Sequence, residues 1–215
     1  MTDKENERQE DAMTEPQPIS AALVKQLRDI TGAGMMDCKK ALTEATGDLE
    51  KAQEILRTKE LASAQKRRGR QASEGVVEAY IHGEGRMGVL VEVNSETDFV
   101  ARTEEFRRLA RHIAMQIAAS DPRWITREEV PEDVVAGERK IYEEQARSTG
   151  KPDQVIGRIV DGKLEAFYKE TVLLDQPFIK DDSKTVGALV GEVGAKVGEN
   201  VVVRRFARFL LGRED

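Results

Sequence analysis

The 215-residue chain is predicted to fold as α+β: a three-helix bundle, then a small antiparallel sheet covered by helices. Three observations carry the prediction. Apolar residues recur at helical spacing from Leu23 to Leu56, with glycines between the runs. Two alternating runs, Val77–His82 and Met87–Val93, flank Gly83-Glu84-Gly85-Arg86 and read as a β-hairpin. A β-branched stretch, Val201-Val202-Val203, stands near the far end with helical patterns between it and the hairpin, so it must pair at long range.

Residues 1–18 hold six acidic and two basic side chains and include Pro16 and Pro18. They offer almost nothing to bury and are expected to form a disordered tail. Ser20 is placed to cap a first helix carrying Leu23, Val24, Leu27 and Ile30, which Gly32 and Gly34 stop. A second helix fits Met35–Ala45 with Leu42 inward. Asp48 caps a third, striped by Leu49, Ala52, Ile55 and Leu56. Residues 19–58 form the bundle, and 59–73 a basic helical linker containing Lys66, Arg67, Arg68 and Arg70.

Residues 74–215 form the α+β part. In the hairpin, Val77, Ala79 and Ile81 alternate with Glu78, Tyr80 and His82, and the second strand sets Met87, Val89, Val91 and Val93 on one face. The hairpin glycines join two strands and open no helix, so they are a turn rather than a phosphate loop. Thr103 can cap a helix that buries Phe106, Leu109, Ala110, Ile113 and Ile117, and Asp121-Pro122 breaks it. Pro131 opens a helix reaching Gly150. Pro152 opens the next, with Val155, Ile156, Ile159, Leu164 and Phe167 on its apolar side. Leu173–Phe178 is expected to be extended, and a helix around Lys184–Lys196 buries Leu189 and Val193.

Charge and composition exclude several functions. The 34 Lys+Arg against 40 Asp+Glu leave a net charge of −6, which argues against general affinity for nucleic-acid phosphates. No aromatic residue is interleaved with the basic linker to stack on bases. A single cysteine excludes an internal disulfide framework and a cysteine-based zinc cluster. No apolar run approaches the ~18 residues that span a bilayer, and the amino end lacks an apolar signal core, so the expected compartment is the cytoplasm. No nucleophile-elbow or paired-histidine zinc motif occurs; His82 and His112 are isolated. Cys38 has only Lys39 and Lys40 beside it. Neither cofactor nor metal is expected, and the chain reads as a binding protein rather than an enzyme.

Two clusters suit another protein's surface. In Thr31-Gly32-Ala33-Gly34-Met35-Met36-Asp37, adjacent methionines follow a glycine-rich turn; either one is exposed as an adaptable contact or both fill gaps in the core. In Thr97-Asp98-Phe99-Val100, a charge adjoins a large aromatic where the chain leaves a strand. Phe99 is either a probe for a partner's pocket or tucked under the sheet.

At these clusters the chain resembles the bacterial elongation factor Ts family. The stretches that carry the resemblance are LVKQLRDITGAGMMDCKKALTEATGDLEKA (Leu23–Ala52), VLVEVNSETDFVA (Val89–Ala101), HIAMQIAA (His112–Ala119), QPFIKDDSKTVG (Gln176–Gly187) and GENVVVRRFARF (Gly198–Phe209). The resemblance implies a guanine-nucleotide exchange factor that binds elongation factor Tu with GDP, displaces Mg²⁺ and promotes GDP release so that GTP can bind. It implies that Thr97, Asp98, Phe99 and Val100 act in Mg²⁺ displacement. Leu23, Val24, Lys25, Arg28, Met35, Met36 and Lys39 match an amino-terminal module that resembles a ubiquitin-associated fold and grips the GTPase. Ile113, Met115 and Gln116 lie in a helix contacting the partner, with Gln116 where the family pattern has histidine. Ile179 and Lys180 match a segment that reaches a further domain of the partner.

The chain resembles the family's short form, with one core half instead of two. A lone half leaves sheet edges and apolar faces uncovered, which favours a twofold homodimer through the strand around Arg204–Phe209. Position 207 is Ala, so the dimer is expected to be noncovalent.

Overall fold

The structure, a computed structural model, describes residues 19–150 and 152–213; the expected acidic tail, 1–18, lies outside the described residues. The chain divides into two compact units between Gln65 and Lys66.

The first unit holds α1 (Ala21–Thr31), α2 (Met35–Glu44) and most of α3 (Leu49–Arg68). Helix α1 begins and ends, and α3 begins, where the local chemistry supplies a partner for loose backbone groups. The Ser20 hydroxyl accepts the Leu23 N–H at 3.2 Å. Gly32, at φ +69°, turns the chain left-handed and donates its N–H to the Arg28 carbonyl at 2.8 Å. The Asp48 carboxylate accepts the N–H groups of Glu50 and Lys51 at 3.0 and 3.1 Å. The core is small: Val24, Leu27, Cys38, Ala41, Leu42, Ala45, Ala52 and Leu56. Residues 59–68 of the expected helical linker are the carboxyl half of α3, and the boundary between the units falls within that helix.

The second unit is built on β1 (Glu74–His82), β2 (Met87–Ser95) and β5 (Val202–Leu210), an antiparallel sheet in the order β1-β2-β5. Val89, Val91 and Val93 of β2 are buried together with Phe106, Leu109, Ile113 and Ile117 of α5 (Glu104–Ser120) and Val186, Val190 and Val193 of α8 (Val186–Val197). The one-turn helix α4 (Asp98–Ala101) joins β2 to α5. Gly75, at φ +148°, lets β1 approach β2 so closely that a Cβ there would sit 2.1 Å from the Val93 carbonyl oxygen.

The register decides which apolar set faces the core. Val77 lies opposite Glu92, Ala79 opposite Leu90 and Ile81 opposite Gly88. The Val77, Ala79 and Ile81 set therefore occupies the face away from the helices, with Val77 and Ile81 at 66% and 64% exposure. Leu90 and Phe209 share that outer face, as Leu90 pairs with Ala207 and Gly88 with Phe209.

Helices α6 (Glu132–Ser148) and α7 (Asp153–Thr171) pack on each other through Ala146, Ile156, Val160 and Leu164. Val155, expected on the apolar side of α7, is exposed, and Val160 fills that role. Leu173–Phe178 is only partly extended. Leu173–Asp175 forms a 3₁₀ turn, and Pro177–Phe178 (β3) pairs with Asp181–Thr185 (β4). The turn arises because the Leu173 and Leu174 N–H groups go to the carbonyls of Trp124 and Ile125, at 2.8 and 3.1 Å, rather than to a strand. Among the described residues, no helix is long and apolar enough to cross a membrane.

Candidate functional site

Phe99 is 77% exposed, the most exposed large apolar side chain among the described residues. It is therefore not tucked under the sheet. Its neighbours Val100 and Ala101 are buried and hold α4 against the core. Leaving a phenyl ring in water forgoes roughly 1.5–3 kcal/mol of burial, so the ring is held out against its own hydrophobicity. Asp98 beside it pairs with Arg102 at 2.8 Å; both side chains are well exposed, so the pair orients more than it stabilises.

The base of this loop is bound from three directions. Thr97 caps α4: its hydroxyl accepts the Val100 N–H at 3.4 Å and donates to Glu199 at 2.6 Å. The other oxygen of the Glu199 carboxylate accepts the N–H groups of Glu96 and Thr97 at 3.0 and 3.1 Å. In return the Glu96 carboxylate accepts the Asn200 N–H at 2.6 Å, and the Asn200 side-chain amide donates to the Arg70 carbonyl at 2.8 Å. The Ser95 hydroxyl donates to the Thr97 carbonyl at 3.0 Å. In the sequence, Glu199 and Asn200 stand directly before the β-branched run Val201-Val202-Val203. The one signal for them was their place after Gly198, where α8 had to end.

In the first unit, Met35 and Met36 are 52% and 64% exposed, so neither fills a gap in the core. Cys38, Ala41 and Leu42 take the inward face of α2 instead. Ile30 is also exposed, contrary to its expected place in the α1 stripe, and with the two methionines it flanks the Gly32-Ala33-Gly34 turn. Lys25, Arg28 and Lys39 are exposed, Leu23 is half-buried, and Val24 belongs to the core.

The remaining candidates divide. Ile113 is buried in the main core, and Met115 is half-buried. Gln116, only 1% exposed, has no surface to offer. Its amide nitrogen donates to the Ser120 hydroxyl, the Gln176 side-chain oxygen and the Pro177 carbonyl at 3.0, 3.1 and 3.2 Å, and its oxygen accepts the Ile179 N–H at 2.9 Å. It thus fastens the β3–β4 hairpin to α5, leaving Ile179 and Lys180 exposed at the hairpin's tip.

Beside that hairpin lies a cavity of about 310 Å³ floored by Leu109, Phe178, Leu189 and Val193. His112 lines it and packs on Phe178 with ring centroids 5.5 Å apart. Burial lowers the His112 pKa below the usual imidazole value, and the positive charges of Lys180 and Arg108 lower it further. Among the described residues, no three His, Cys, Asp or Glu side chains are grouped to hold a metal ion. Cys38 is buried, with its thiol directed at the Ala33 carbonyl at 3.6 Å.

The fold defines a class: a three-helix bundle followed by an α+β unit on a three-stranded antiparallel sheet, with exposed apolar side chains that the cores do not need. The particular family follows from comparison with known proteins. The family model described as Elongation factor TS matches residues 17–213. The chain is 59% identical over 194 residues to an elongation factor Ts of Coprothermobacter proteolyticus, covering 90% of this chain and 98% of that relative. It is 61% identical to one from Caldanaerobacter subterraneus subsp. tengcongensis, covering 90% and 97%, and 61% identical to one from Moorella thermoacetica, covering 90% and 96%. The chain belongs to the elongation factor Ts family, the nucleotide-exchange factors of translation elongation, and membership implies binding to elongation factor Tu.

Proposed function

We propose that the chain binds elongation factor Tu in its GDP state through separate surfaces and expels the nucleotide by driving Phe99 into the partner near its Mg²⁺ site. The observation that carries the reading is the pose of Phe99: a largely exposed phenyl ring on a one-turn helix whose base is held by Glu199. Wedged between partner helices, the ring displaces the elements that coordinate Mg²⁺. Losing that ion exposes the charge of the diphosphate and loosens GDP. Asp98 fixes the approach. Ile30, Met35 and Met36, with Lys25, Arg28 and Lys39 around them, form the grip of the first unit, and Ile179 and Lys180 form a further contact from the second. Val24, Val100, Ile113 and Gln116 serve from beneath, by holding exposed neighbours in place.

The chain makes and breaks no bond in this scheme, and it acts in the cytoplasm. Because it prefers the nucleotide-free partner, nucleotide must by reciprocity weaken its own binding. The test is release of fluorescent GDP from purified elongation factor Tu into excess unlabelled GDP. Substoichiometric amounts of this protein are expected to accelerate release strongly. Phe99→Ala is expected to slow the stimulated rate at saturation more than it weakens the complex. A folded sample that leaves release unchanged would sink the proposal.

The functional unit is a noncovalent homodimer formed through the outer face of the sheet. Val77, Ile81, Leu90 and Phe209 lie exposed there, on a face none of the unit's described helices covers. The strand around Arg204–Phe209 contributes one edge of that face.

A further inference from the structure

We propose that Glu199 is a positioning residue for nucleotide exchange, acting through the loop that carries Phe99. The inference rests on the exchange reading above and concerns a residue whose carboxylate is engaged within the chain, by Glu96 and Thr97. Helix α4 has four residues, too few to hold itself, since a single turn fixes several backbone angles for one or two hydrogen bonds. Its own cap is long, 3.4 Å from the Thr97 hydroxyl to the Val100 N–H. The short bonds come from outside. Glu199 lies 102 residues further along from Thr97, and its carboxylate takes the Thr97 hydroxyl at 2.6 Å and the Glu96 and Thr97 N–H groups at 3.0 and 3.1 Å.

All three bonds meet the chain within three residues of Phe99, and none reaches the hydrophobic core. The Glu96 carboxylate returns the grip at the Asn200 N–H, so the loop before β5 and the loop after β2 bracket each other. Gly198, at φ +75°, ends α8 directly before Glu199 and brings that carboxylate to the loop. Charge-assisted bonds to backbone N–H groups are the stronger kind, and here they fix the base of a lever whose tip is the exposed ring. A probe held in its docking pose loses less freedom on binding, and a wedge that is slack at its base transmits less displacement.

The experiment compares the wild-type protein, Glu199→Ala, Phe99→Ala and the double variant in stimulated GDP release from elongation factor Tu at saturation. Affinity for the nucleotide-free partner and the thermal midpoint are measured alongside. Glu199→Ala is expected to lower the maximal rate about tenfold while affinity stays within about twofold. It is expected to have no further effect once Phe99 is Ala, because the two act as one unit. Glu199→Gln, which keeps an acceptor for the backbone N–H groups, is expected to recover most of the rate. If Glu199→Ala does not fold, Thr97→Val, which removes the hydroxyl bonded to Glu199, carries the same comparison: a loss of rate that disappears in the Phe99→Ala background supports the proposal. An unchanged rate, or a loss that adds fully to that of Phe99→Ala, overturns it and leaves the exchange reading intact. A wild-type protein without exchange activity overturns both.

Discussion

The resemblance implies a partner contact for Gln116, yet its side chain is buried and its polar atoms are engaged by Ser120, Gln176, Pro177 and the Ile179 N–H. A Leu of similar size would fill the volume but orphan the Ile179 N–H. Gln116→Leu is therefore expected to cost about 1–3 kcal/mol, the penalty for a buried group left without its partner, measured by urea unfolding. A loss below about 0.5 kcal/mol would mean that water replaces the amide. The residue type was plain in the sequence and its surroundings were not, because Gln116 and Ile179 stand 63 positions apart. Phe99 is the reverse case. Its motif was conspicuous, but whether the ring faced inward or outward depended on Val100 and Ala101 taking the inward places. Glu199 gave almost no signal, since a carboxylate that binds backbone N–H groups looks the same in sequence as one that faces water.

At the scale of elements, local chemistry was the most legible layer. Ser20, Asp48 and Thr103 cap the helices they were expected to cap, because a cap needs only a side-chain oxygen and the next three residues. The hairpin also follows from its alternation. What alternation could not settle is which face of β1 is buried, as Val76 and Tyr80 pack inward while the apolar Val77 and Ile81 point out. The β3–β4 hairpin was missed because its pairing depends on the contacts that bend Leu173–Asp175 into a turn. That hairpin brings Lys180 near His112 and so sets a pH response. Burial first, then Lys180 and Arg108, hold the His112 pKa below its unfolded value of about 6.5. Below that pH the unfolded chain binds the proton more readily than the folded one. The His112 contribution is thus fully present above about pH 6.5 and is lost as pH falls from there through the lowered folded value. Lys180→Met is expected to raise the His112 pKa without restoring the ordinary value, as read by NMR titration of the two histidines. An unchanged titration would leave burial and Arg108 as the causes.

At the scale of the whole molecule, the proposed homodimer rests on the outer sheet face. Ile81 lies over Gly88, where a Cβ would come within 3.3 Å of its methyl carbon, and Leu90 stands between Ala79 and Ala207. Small residues on either side leave Ile81 and Leu90 protruding, a shape that two copies related by a twofold axis can interdigitate. Full burial of each such side chain is worth roughly 1.5–3 kcal/mol, so a few of them on both partners outweigh much of the cost of association. The Arg205–Glu92 pair, 2.7 Å apart across the next register position, keeps charge at the margin of the apolar strip rather than in its centre. Leu90→Lys places a charge in that centre and removes an apolar contact twice, once from each copy. If the proposed homodimer forms, the variant is expected to sediment as a monomer at micromolar concentration where the wild type sediments as a dimer, as read by sedimentation equilibrium. The wild-type thermal midpoint is expected to rise with protein concentration and the variant's to stay constant, since association stabilises only what it binds. Reductant is expected to change neither mass, because the single cysteine, Cys38, is buried in the core of the other unit. A wild-type chain that sediments as a monomer across that range would assign the apolar face to a different partner, and elongation factor Tu itself would be the next to test against Leu90→Lys.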